Sequence, residues 1–283
     1  MMKICIIGVG LIGGSFALGL KKSGKPANIV GFGRSAEKLA KAQQLGVIDD
    51  FSTDIKQALA GVDMVLIATP VNSFKSVLEL IKPHIRAEVI IFDVGSTKTS
   101  IIKTAKQVFG NMPQNFIPAH PIAGKEQNGV EAADGALFSG KRVILTPTEN
   151  ANSQAIKTVS ECWQSMGAKV EIMDDKTHDD LLAMTSHLPH ILAFCLMNYL
   201  TDNKSGALDY AASGFKDFSR IASSDAQMWS DICISNTDEI IKHINGFRQS
   251  LDKLSSLIAA GKSEEIKQLF EGAKTARDDW LNE

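Results

Sequence analysis

Cysteine is scarce in this sequence and is never clustered. The 283-residue chain has four cysteines, which lie far apart and form none of the close pairs that hold a zinc ion. Their density is also far below that of a disulfide-stapled secreted scaffold. We therefore expect a protein of the reducing cytoplasm. Its cysteines should be small, buried apolar side chains: Cys5, Cys162, Cys195 and Cys233.

The sequence also lacks an excess of either charge. Thirty Lys and Arg residues against 32 Asp and Glu residues leave a formal net charge of −2, and no basic block is present. Sequence-independent attraction to a phosphate backbone has little to act on, so we expect no nucleic acid partner. With 44% hydrophobic residues, 22% charged residues and only 8 prolines, the composition is that of a folded globular protein. The length suggests about two domains, at roughly 150 residues each.

No long hydrophobic run opens the chain. The N-terminal apolar stretch is interrupted by Gly8 and Gly10, has no small-residue cleavage site, and is far shorter than the ~18 apolar residues that suggest a membrane span. We expect no export signal and no membrane partner, and hence a cytoplasmic protein.

From Lys3 to about Asp174, short β-branched runs alternate with amphipathic stretches. This alternation predicts repeated βαβ units and a parallel sheet. Several runs, such as 64–67, are continuously apolar, which is typical of strands covered on both faces. We therefore predict an α/β fold with a doubly wound, Rossmann-type domain over residues 1–174. The predicted strands are Lys3–Gly8, Asn28–Phe32, Val62–Ala68, Glu88–Asp93, Asn115–Pro118, Arg142–Thr146 and Lys169–Met173.

After Asp174 the strand signal ends. Apolar residues recur every three or four positions, which predicts an all-helical domain over residues 175–283, with a last helix that begins at Ser263. Helices with so few strands to cover must bury their apolar faces against one another or against a second copy of the chain, so we expect a homodimer through this domain. The clearest apolar stripe comprises Ile240, Ile244, Phe247, Leu251, Leu254 and Ile258.

A glycine-rich motif links the first predicted strand to the first predicted helix. In Gly8-Val9-Gly10-Leu11-Ile12-Gly13, the first glycine allows a tight turn, Gly10 lets a pyrophosphate approach the backbone, and Gly13 lets the helix pack closely on the strand. The N–H groups of Leu11 and Ile12, at the positive end of the helix dipole, favour an anion. The motif therefore predicts a dinucleotide site.

The end of the second strand bears on which dinucleotide binds. An acidic residue that accepts the ribose hydroxyls of NAD is expected about 20 residues after the glycines, but Gly33 occupies that position and the first carboxylate is Glu37. Arg34 and Ser35 offer a positive charge and a hydroxyl to a ribose 2′-phosphate, which favours NADP, with NAD as the alternative. The alternative is that neither residue contacts the cofactor: Arg34 is then a solvated surface charge, and Ser35 caps the next helix.

Further polar residues follow later strands, on the side of the sheet where ligands of such folds collect. Thr69 and Pro70 follow the strand at 62–68, and we assign them to the cofactor site. Ser96 either points its hydroxyl into the cleft or caps the helix predicted at 100–108. His120 ends the next strand, and an imidazole with a pKa near ~6.5 suits the removal of a hydroxyl proton.

The helical region adds two groups of polar residues. His187 and His190 are three residues apart and would share a helix face, but no His-Glu-x-x-His pattern is present and Pro189 should kink the helix, so we expect no metal. Asp217 and Arg220 are also three apart. Arg220 is either a clamp for a substrate carboxylate, steadied by Asp217, or half of a surface ion pair.

Five motifs follow one another in order along the chain. They are Gly8-Val9-Gly10-Leu11-Ile12-Gly13-Gly14-Ser15, Asp93-Val94-Gly95-Ser96-Thr97-Lys98, His120-Pro121-Ile122-Ala123-Gly124-Lys125-Glu126, Ser186-His187-Leu188-Pro189-His190 and Gly214-Phe215-Lys216-Asp217-Phe218-Ser219-Arg220. Together they resemble the prephenate/arogenate (cyclohexadienyl) dehydrogenase family of tyrosine biosynthesis. The resemblance implies a Rossmann domain, an all-helical dimerisation domain, an active site between them, and no metal.

The resemblance also implies the reaction. In this family the substrate ring loses a hydride to the nicotinamide and its ring carboxylate as carbon dioxide, which leaves a phenol. By motif, His120 matches the histidine that accepts the proton of the ring hydroxyl. Ser96 matches the serine that hydrogen-bonds to both this histidine and the ring hydroxyl.

The substrate contacts are implied in the same way. Arg220 matches the arginine that binds the substrate carboxylate, with Asp217 and Glu126 as its ionic neighbours and gate. His190, together with His187, matches the histidine pair that lines the substrate pocket.

Several alternatives stay open at this point. No residue decides between prephenate, whose product is 4-hydroxyphenylpyruvate, and arogenate, whose product is tyrosine. A different two-domain dehydrogenase would take a catalytic lysine from the helical part, where Lys216 is the candidate. A non-catalytic dinucleotide sensor would need the glycine motif but no convergent His, Ser and Arg.

Overall fold

The structure is a computed structural model that describes residues 1–25, 27–125, 127–203 and 206–282. By its packing the chain divides into two compact units, Met1–Thr237 and the segment from Asp238 onwards. The boundary expected after Asp174 coincides with a helix start, but the packing places the helices up to Thr237 with the nucleotide-binding half.

The described residues of the first unit form nine strands in two sheets. The first sheet has six parallel strands in the order β3-β2-β1-β4-β5-β6, the order of a dinucleotide-binding doubly wound fold. Residues 50–52 form an edge strand that the sequence pattern did not predict, because three residues carry too little periodicity. The strands are β1 (Met2–Ile7), β2 (Ala27–Phe32), β3 (Asp50–Ser52), β4 (Met64–Ile67), β5 (Ile90–Asp93), β6 (Phe116–Ile117), β7 (Ala119–Pro121), β8 (Arg142–Leu145) and β9 (Lys169–Ile172).

The last three strands leave the parallel sheet and form a second one. In it, β7 runs antiparallel to β8, and β8 runs parallel to β9. The sequence predicted one continuous parallel sheet through residue 173, and this part of the prediction is wrong. Pro118, which has no N–H to continue a ladder, separates β6 from β7. The break places His120 in the middle of its own short strand, opposite Ile144.

Helices cover both faces of the parallel sheet, as the continuously apolar strands predict. One face packs into a core with an aromatic cluster, in which Phe16, Phe92 and Phe138 surround Trp163 with ring centroids 5.0–6.4 Å apart. The helices of the first unit are α1 (Leu11–Lys22), α2 (Ala36–Gln44), α3 (Ile55–Ala58), α4 (Phe74–Ile81), α5 (Thr99–Phe109), α6 (Ser153–Ser165), α7 (Asp175–Leu182), α8 (Leu188–Asn203), α9 (Ser213–Ser219) and α10 (Ala226–Ser235).

A π-helical turn, Ala183–His187, joins α7 to α8. Pro189 is the second residue of α8, where a proline is tolerated, so the expected kink takes the form of this wide turn. The whole stretch Asp175–Asn203 is long and apolar enough to pass for a membrane span by length and composition alone. That is weak evidence, because a core helix of a soluble protein can pass the same test.

In the second unit, the residues that the structure describes form two long helices, α11 (Thr237–Ala259) and α12 (Ser263–Asn282). The start at Ser263 agrees with the sequence prediction. Both helices expose apolar side chains, and the predicted stripe is 36% exposed at Phe247, 50% at Leu251 and 60% at Ile258. Apolar faces this open are typical of an interaction surface.

Candidate active site

The glycine motif forms a tight turn between β1 and α1. Gly8 has a φ of +96°, and a Cβ atom there would lie 2.5 Å from the carbonyl oxygen of Ala68. A Cβ on Gly13 would overlap the carbonyl oxygen of Gly8, so this glycine lets α1 pack against the turn. A Cβ on Gly10 would meet nothing within 4 Å. The space beside Gly10 is therefore open, as the approach of a pyrophosphate requires.

The N-terminus of α1 suits an anion. Gly10 is its N-cap, no side chain caps it, and no acidic residue lies in its first turn. The N–H groups of Leu11 and Ile12 start the helix, at the positive end of its dipole. Beside this turn, the buried Oγ1 of Thr69 has no hydrogen-bond partner among the described residues. The open cradle and the orphaned hydroxyl fit a bound dinucleotide.

The residues assigned to the adenosine end lie just after β2. Arg34 is exposed, and Ser35 caps α2, because its Oγ accepts a hydrogen bond from the N–H of Lys38 at 3.3 Å. The capping role that the sequence left open for Ser35 is therefore present. The hydroxyl keeps its own hydrogen to donate, so this role is compatible with a ribose phosphate.

His120 is linked to a buried His-Asp pair from α7. Its Nδ1 lies 2.9 Å from Nε2 of His178, and Nδ1 of His178 lies 2.8 Å from Oδ1 of Asp179. The Asp179 carboxylate also accepts the backbone N–H groups of Lys98 at 2.8 Å and Thr99 at 2.9 Å. Asp179 thus caps the N-terminus of α5 and ends a chain of three side chains that begins at His120.

Burial and neighbouring charges determine the protonation of this chain. Burial, together with His178, Lys98 and His187 nearby, lowers the pKa of His120 well below its usual value. Burial also lowers the pKa of His178. For Asp179, burial acts to raise the pKa, but the hydrogen bonds from His178 and from the two backbone N–H groups outweigh it and keep the pKa low. Near neutral pH the histidines are therefore neutral and Asp179 is ionised.

A buried ion pair between Lys98 and Asp93 holds the start of β7. Nζ of Lys98 contacts Oδ2 of Asp93, and neither side chain is exposed. Nζ of Lys98 also donates to the carbonyl of Ala119 at 2.6 Å, and Oδ1 of Asp93 accepts the N–H of Ala119 at 3.1 Å. Burial raises the pKa of Asp93 and lowers that of Lys98. The pair fixes the backbone immediately before His120.

Ser96 lies in the loop that carries this ion pair. It is half-buried, and its hydroxyl makes no hydrogen bond to another described residue. The helix α5 begins at Thr99, with Lys98 as its N-cap, so the capping alternative for Ser96 is wrong. The structure leaves its hydroxyl available to a ligand.

The two predicted pocket histidines flank one tryptophan. His190 stacks on Trp229 with ring centroids 3.9 Å apart, and the ring of His187 meets the same indole edge-on at 6.0 Å. Asn236 donates from Nδ2 to the carbonyl of Asp179 at 2.9 Å and lies 3.3 Å from Nδ1 of His187. Burial lowers the pKa of His187 to about 4, which keeps it neutral.

Arg220 lies at the far end of this arrangement. It begins a 3-10 turn after α9 that packs on α8, and burial together with the charge of Arg220 lowers the pKa of His190. Contacts therefore lead from His120 through the His-Asp pair and Asn236 to the two pocket histidines, and the charge of Arg220 acts on His190. Asp217 is exposed and lies three residues before Arg220, in α9. Glu126 lies outside the described residues.

Sequence reasoning missed several members of this site: Asp93, Lys98, His178, Asp179, Trp229 and Asn236. The adjacent His178 and Asp179 were visible as a polar pair at a helix start, and Asp93 and Lys98 lay within a motif already singled out. Their contacts with other elements of the fold span 21 to 81 residues in sequence, which local patterns do not report.

Two family models cover most of the chain. Residues 16–172 match the nucleotide-binding domain of prephenate dehydrogenase, and residues 174–272 match its dimerization domain. These matches place the dimerization domain in the helical half.

Individual relatives agree with the family models. The chain is 34% identical to the cyclohexadienyl dehydrogenase of Zymomonas mobilis, over 97% of this chain and 94% of the relative. It is 36% identical to the prephenate dehydrogenase of Bacillus subtilis, over 97% of this chain and 75% of the relative. The crystal structure of prephenate dehydrogenase from A. aeolicus, in complex with hydroxyphenyl propionate and NAD+, superposes with a TM-score of 0.93 at 35% identity, over 99% of this chain and 98% of that one. The chain therefore belongs to the prephenate dehydrogenase family of oxidoreductases.

Proposed function

We propose that this protein catalyses the NAD(P)-dependent oxidative decarboxylation of prephenate to 4-hydroxyphenylpyruvate, in tyrosine biosynthesis. The observation that carries the proposal is the neutral, partly buried His120, which is held by the His178–Asp179 pair. Contacts join this pair to the two pocket histidines, and the charge of Arg220 acts on the pKa of His190. A neutral imidazole is the form that accepts a proton, and a guanidinium is the group that binds a carboxylate. The prephenate dehydrogenases at 36% identity support the same activity.

The chain's own residues divide the work. His120 accepts the proton of the ring hydroxyl, and Ser96 orients that hydroxyl by a hydrogen bond. Arg220 binds a substrate carboxylate, and His187 and His190 line the pocket beside Trp229. Loss of the ring carboxylate as carbon dioxide makes the ring aromatic, so the reaction runs in one direction. The bound dinucleotide supplies the acceptor for the hydride.

The dinucleotide is held at the turn formed by Gly8, Gly10 and Gly13, with the N–H groups at the start of α1 on its pyrophosphate and Thr69 and Pro70 beside it. NADP is the favoured form, because Arg34 and Ser35 stand where a carboxylate would accept the ribose hydroxyls of NAD. The complex of the A. aeolicus enzyme with NAD+ supports a nicotinamide dinucleotide without distinguishing the two.

The protein acts as a homodimer in the cytoplasm under this proposal. The exposed apolar side chains of α11 and α12, and the match of residues 174–272 to a dimerization domain, support the dimer.

Arogenate is a second candidate substrate, because the Zymomonas mobilis relative is named for the cyclohexadienyl group that prephenate and arogenate share. Incubation of the protein with each substrate, and with NAD or NADP, tests the assignment through the absorbance of the reduced nicotinamide. The largest kcat/KM is expected for prephenate with NADP. Absence of signal with both substrates would overturn the proposed function, and a larger kcat/KM with NAD would overturn only the cofactor preference.

A further inference from the structure

We propose that His178 and Asp179 are positioning residues that hold His120 in the tautomer with hydrogen on Nδ1, so that the lone pair of its Nε2 is free to act as the base. This inference rests on the proposed function, because it concerns the histidine that the reaction needs as a proton acceptor. No role in the reaction was assigned to His178 or Asp179 from the sequence.

The carboxylate of Asp179 fixes the direction of the first hydrogen bond. Both oxygens of Asp179 accept backbone hydrogen bonds at the N-terminus of α5, Oδ1 from Lys98 and Oδ2 from Thr99. Two N–H donors and a helix N-terminus favour the ionised form, which has no hydrogen to give. The contact of 2.8 Å between Oδ1 and Nδ1 of His178 is therefore a hydrogen bond that the imidazole donates.

The hydrogen on Nδ1 determines the other nitrogen of His178. Its side chain is fully buried, and the ammonium of Lys98 lies near it, so a second positive charge on the ring is unfavourable. In the neutral ring, a hydrogen on Nδ1 leaves a lone pair on Nε2. That lone pair faces Nδ1 of His120 at 2.9 Å, so His120 must be the donor of this second hydrogen bond.

His120 is likewise a neutral ring with one hydrogen. Before substrate binds, burial and the neighbouring His178, Lys98 and His187 all disfavour the protonated form of its ring. The neutral ring with hydrogen on Nδ1 has its lone pair on Nε2. Two backbone N–H groups thus select, through three side chains, which nitrogen of His120 is basic.

The arrangement also accommodates the reaction. The O–H bond of the substrate hydroxyl breaks, its electron pair stays on oxygen, and an N–H bond forms at Nε2 of His120. The resulting imidazolium keeps its Nδ1–H bond to His178, with the negative charge of Asp179 at the end of the chain to balance it. After the hydride and carbon dioxide have left, the ring oxygen is a phenolate, and the proton on Nε2 returns to it, so that the product leaves as a phenol and His120 is again neutral.

The direct test is the tautomer of His120, read from the nitrogen chemical shifts and proton couplings of the 15N-labelled full-length protein, without substrate. Comparison with His120→Asn assigns its signals among the six histidines. Hydrogen on Nδ1 and none on Nε2 is the expected result. Hydrogen on Nε2 would overturn the proposal whether or not the protein oxidises prephenate. Hydrogen on Nδ1 in a protein inactive with prephenate and arogenate would support the tautomer and overturn the proposed function.

Two variants of His178 separate positioning from packing. In His178→Gln, the amide oxygen replaces Nε2 as acceptor for His120 and the amide nitrogen donates to Asp179, whereas His178→Leu has similar size and no hydrogen bond. We expect His178→Gln to retain at least about tenfold more kcat than His178→Leu, with similar KM values for prephenate and dinucleotide, since a general base contributes a factor of about 10²–10⁴. Equal losses of kcat in both variants would indicate a structural role and overturn the proposal.

Discussion

The imidazole of His190 lies nearly parallel to the indole of Trp229, with the ring centroids 3.9 Å apart and the planes inclined by 22°. The Nδ1 of His190 donates to the carbonyl of Ser186 at 2.9 Å, so the ring is held by a hydrogen bond on one side and by a stacking face on the other. Nε1 of Trp229 is buried and has no hydrogen-bond partner in the described part of the chain. Trp229 therefore acts through its ring face.

Loss of the stacking face should weaken substrate binding. Trp229→Leu is expected to raise the KM for prephenate by about three- to tenfold, since an aromatic pair contributes about 0.5–1.5 kcal/mol. Trp229→Phe keeps a stacking face and is the matched control, with a KM close to that of the unaltered protein. Steady-state kinetics at saturating dinucleotide measure both. Equal KM values for the two variants would show that the ring does not position His190.

Removal of the guanidinium at position 220 should act on the substrate and spare the dinucleotide. Arg220→Ala is expected to raise the KM for prephenate by about 10- to 100-fold, because a hydrogen bond to a charged group contributes roughly 1.5–3 kcal/mol. Arg142→Ala is the control, since that guanidinium pairs with Glu171 at the surface. An effect confined to the KM of the dinucleotide would mean that Arg220 does not clamp the substrate.

Two glycines of the turn should respond differently to an added methyl group. In Gly10→Ala the new Cβ meets no neighbour, so the melting temperature should stay the same while the dinucleotide Kd rises at least about tenfold. In Gly13→Ala the Cβ overlaps the carbonyl oxygen of Gly8, so the melting temperature should fall as well. Calorimetry and dinucleotide titration measure both quantities. A Gly10→Ala protein with unchanged affinity would contradict the placement of the pyrophosphate.

Local sequence signals were sufficient for the dinucleotide turn and for most of the parallel sheet. The constraints at Gly8 and Gly13 come from backbone atoms within a few residues or from the adjacent strand, and the apolar run 64–67 reports burial directly. The second sheet was missed because β7 has only three residues and its partner β8 lies beyond a long loop.

The chain of contacts around His120 was not predictable from the sequence in the same way. Asp179 reaches the N-terminus of α5 across 80 residues, and His178 reaches His120 across 58. A His-Asp pair at a helix start has the same local appearance whether it caps its own helix, binds a metal or orients a distant side chain. Only the fold distinguishes these roles.

Acid should destabilise the folded protein through its buried histidines. The pKa of His187 is about 4 in the folded state and about 6.5 in an unfolded chain, so above pH 6.5 the ring is neutral in both states and costs nothing. As the pH falls from about 6.5 towards 4, the unfolded state takes up a proton that the folded state refuses, and stability is lost. At about 1.4 kcal/mol per tenfold change in proton affinity, this loss is on the order of 3 kcal/mol. His120, His178 and His190 act in the same direction.

Urea unfolding between about pH 7.5 and pH 5 measures this loss as a slope of the unfolding free energy. His187→Gln should show a smaller slope than the unaltered protein, because the glutamine does not titrate. Identical slopes for His187→Gln and the unaltered protein would contradict the buried neutral state of His187.

The central claim is that His120 takes the substrate proton, and the kcat of His120→Asn with prephenate tests it most directly. At saturating dinucleotide and substrate, the account predicts that kcat falls by at least about a hundredfold while the Kd of the dinucleotide is unchanged, because the asparagine keeps a polar side chain in β7 but cannot accept the proton. A kcat within a few-fold of the unaltered enzyme would contradict the claim.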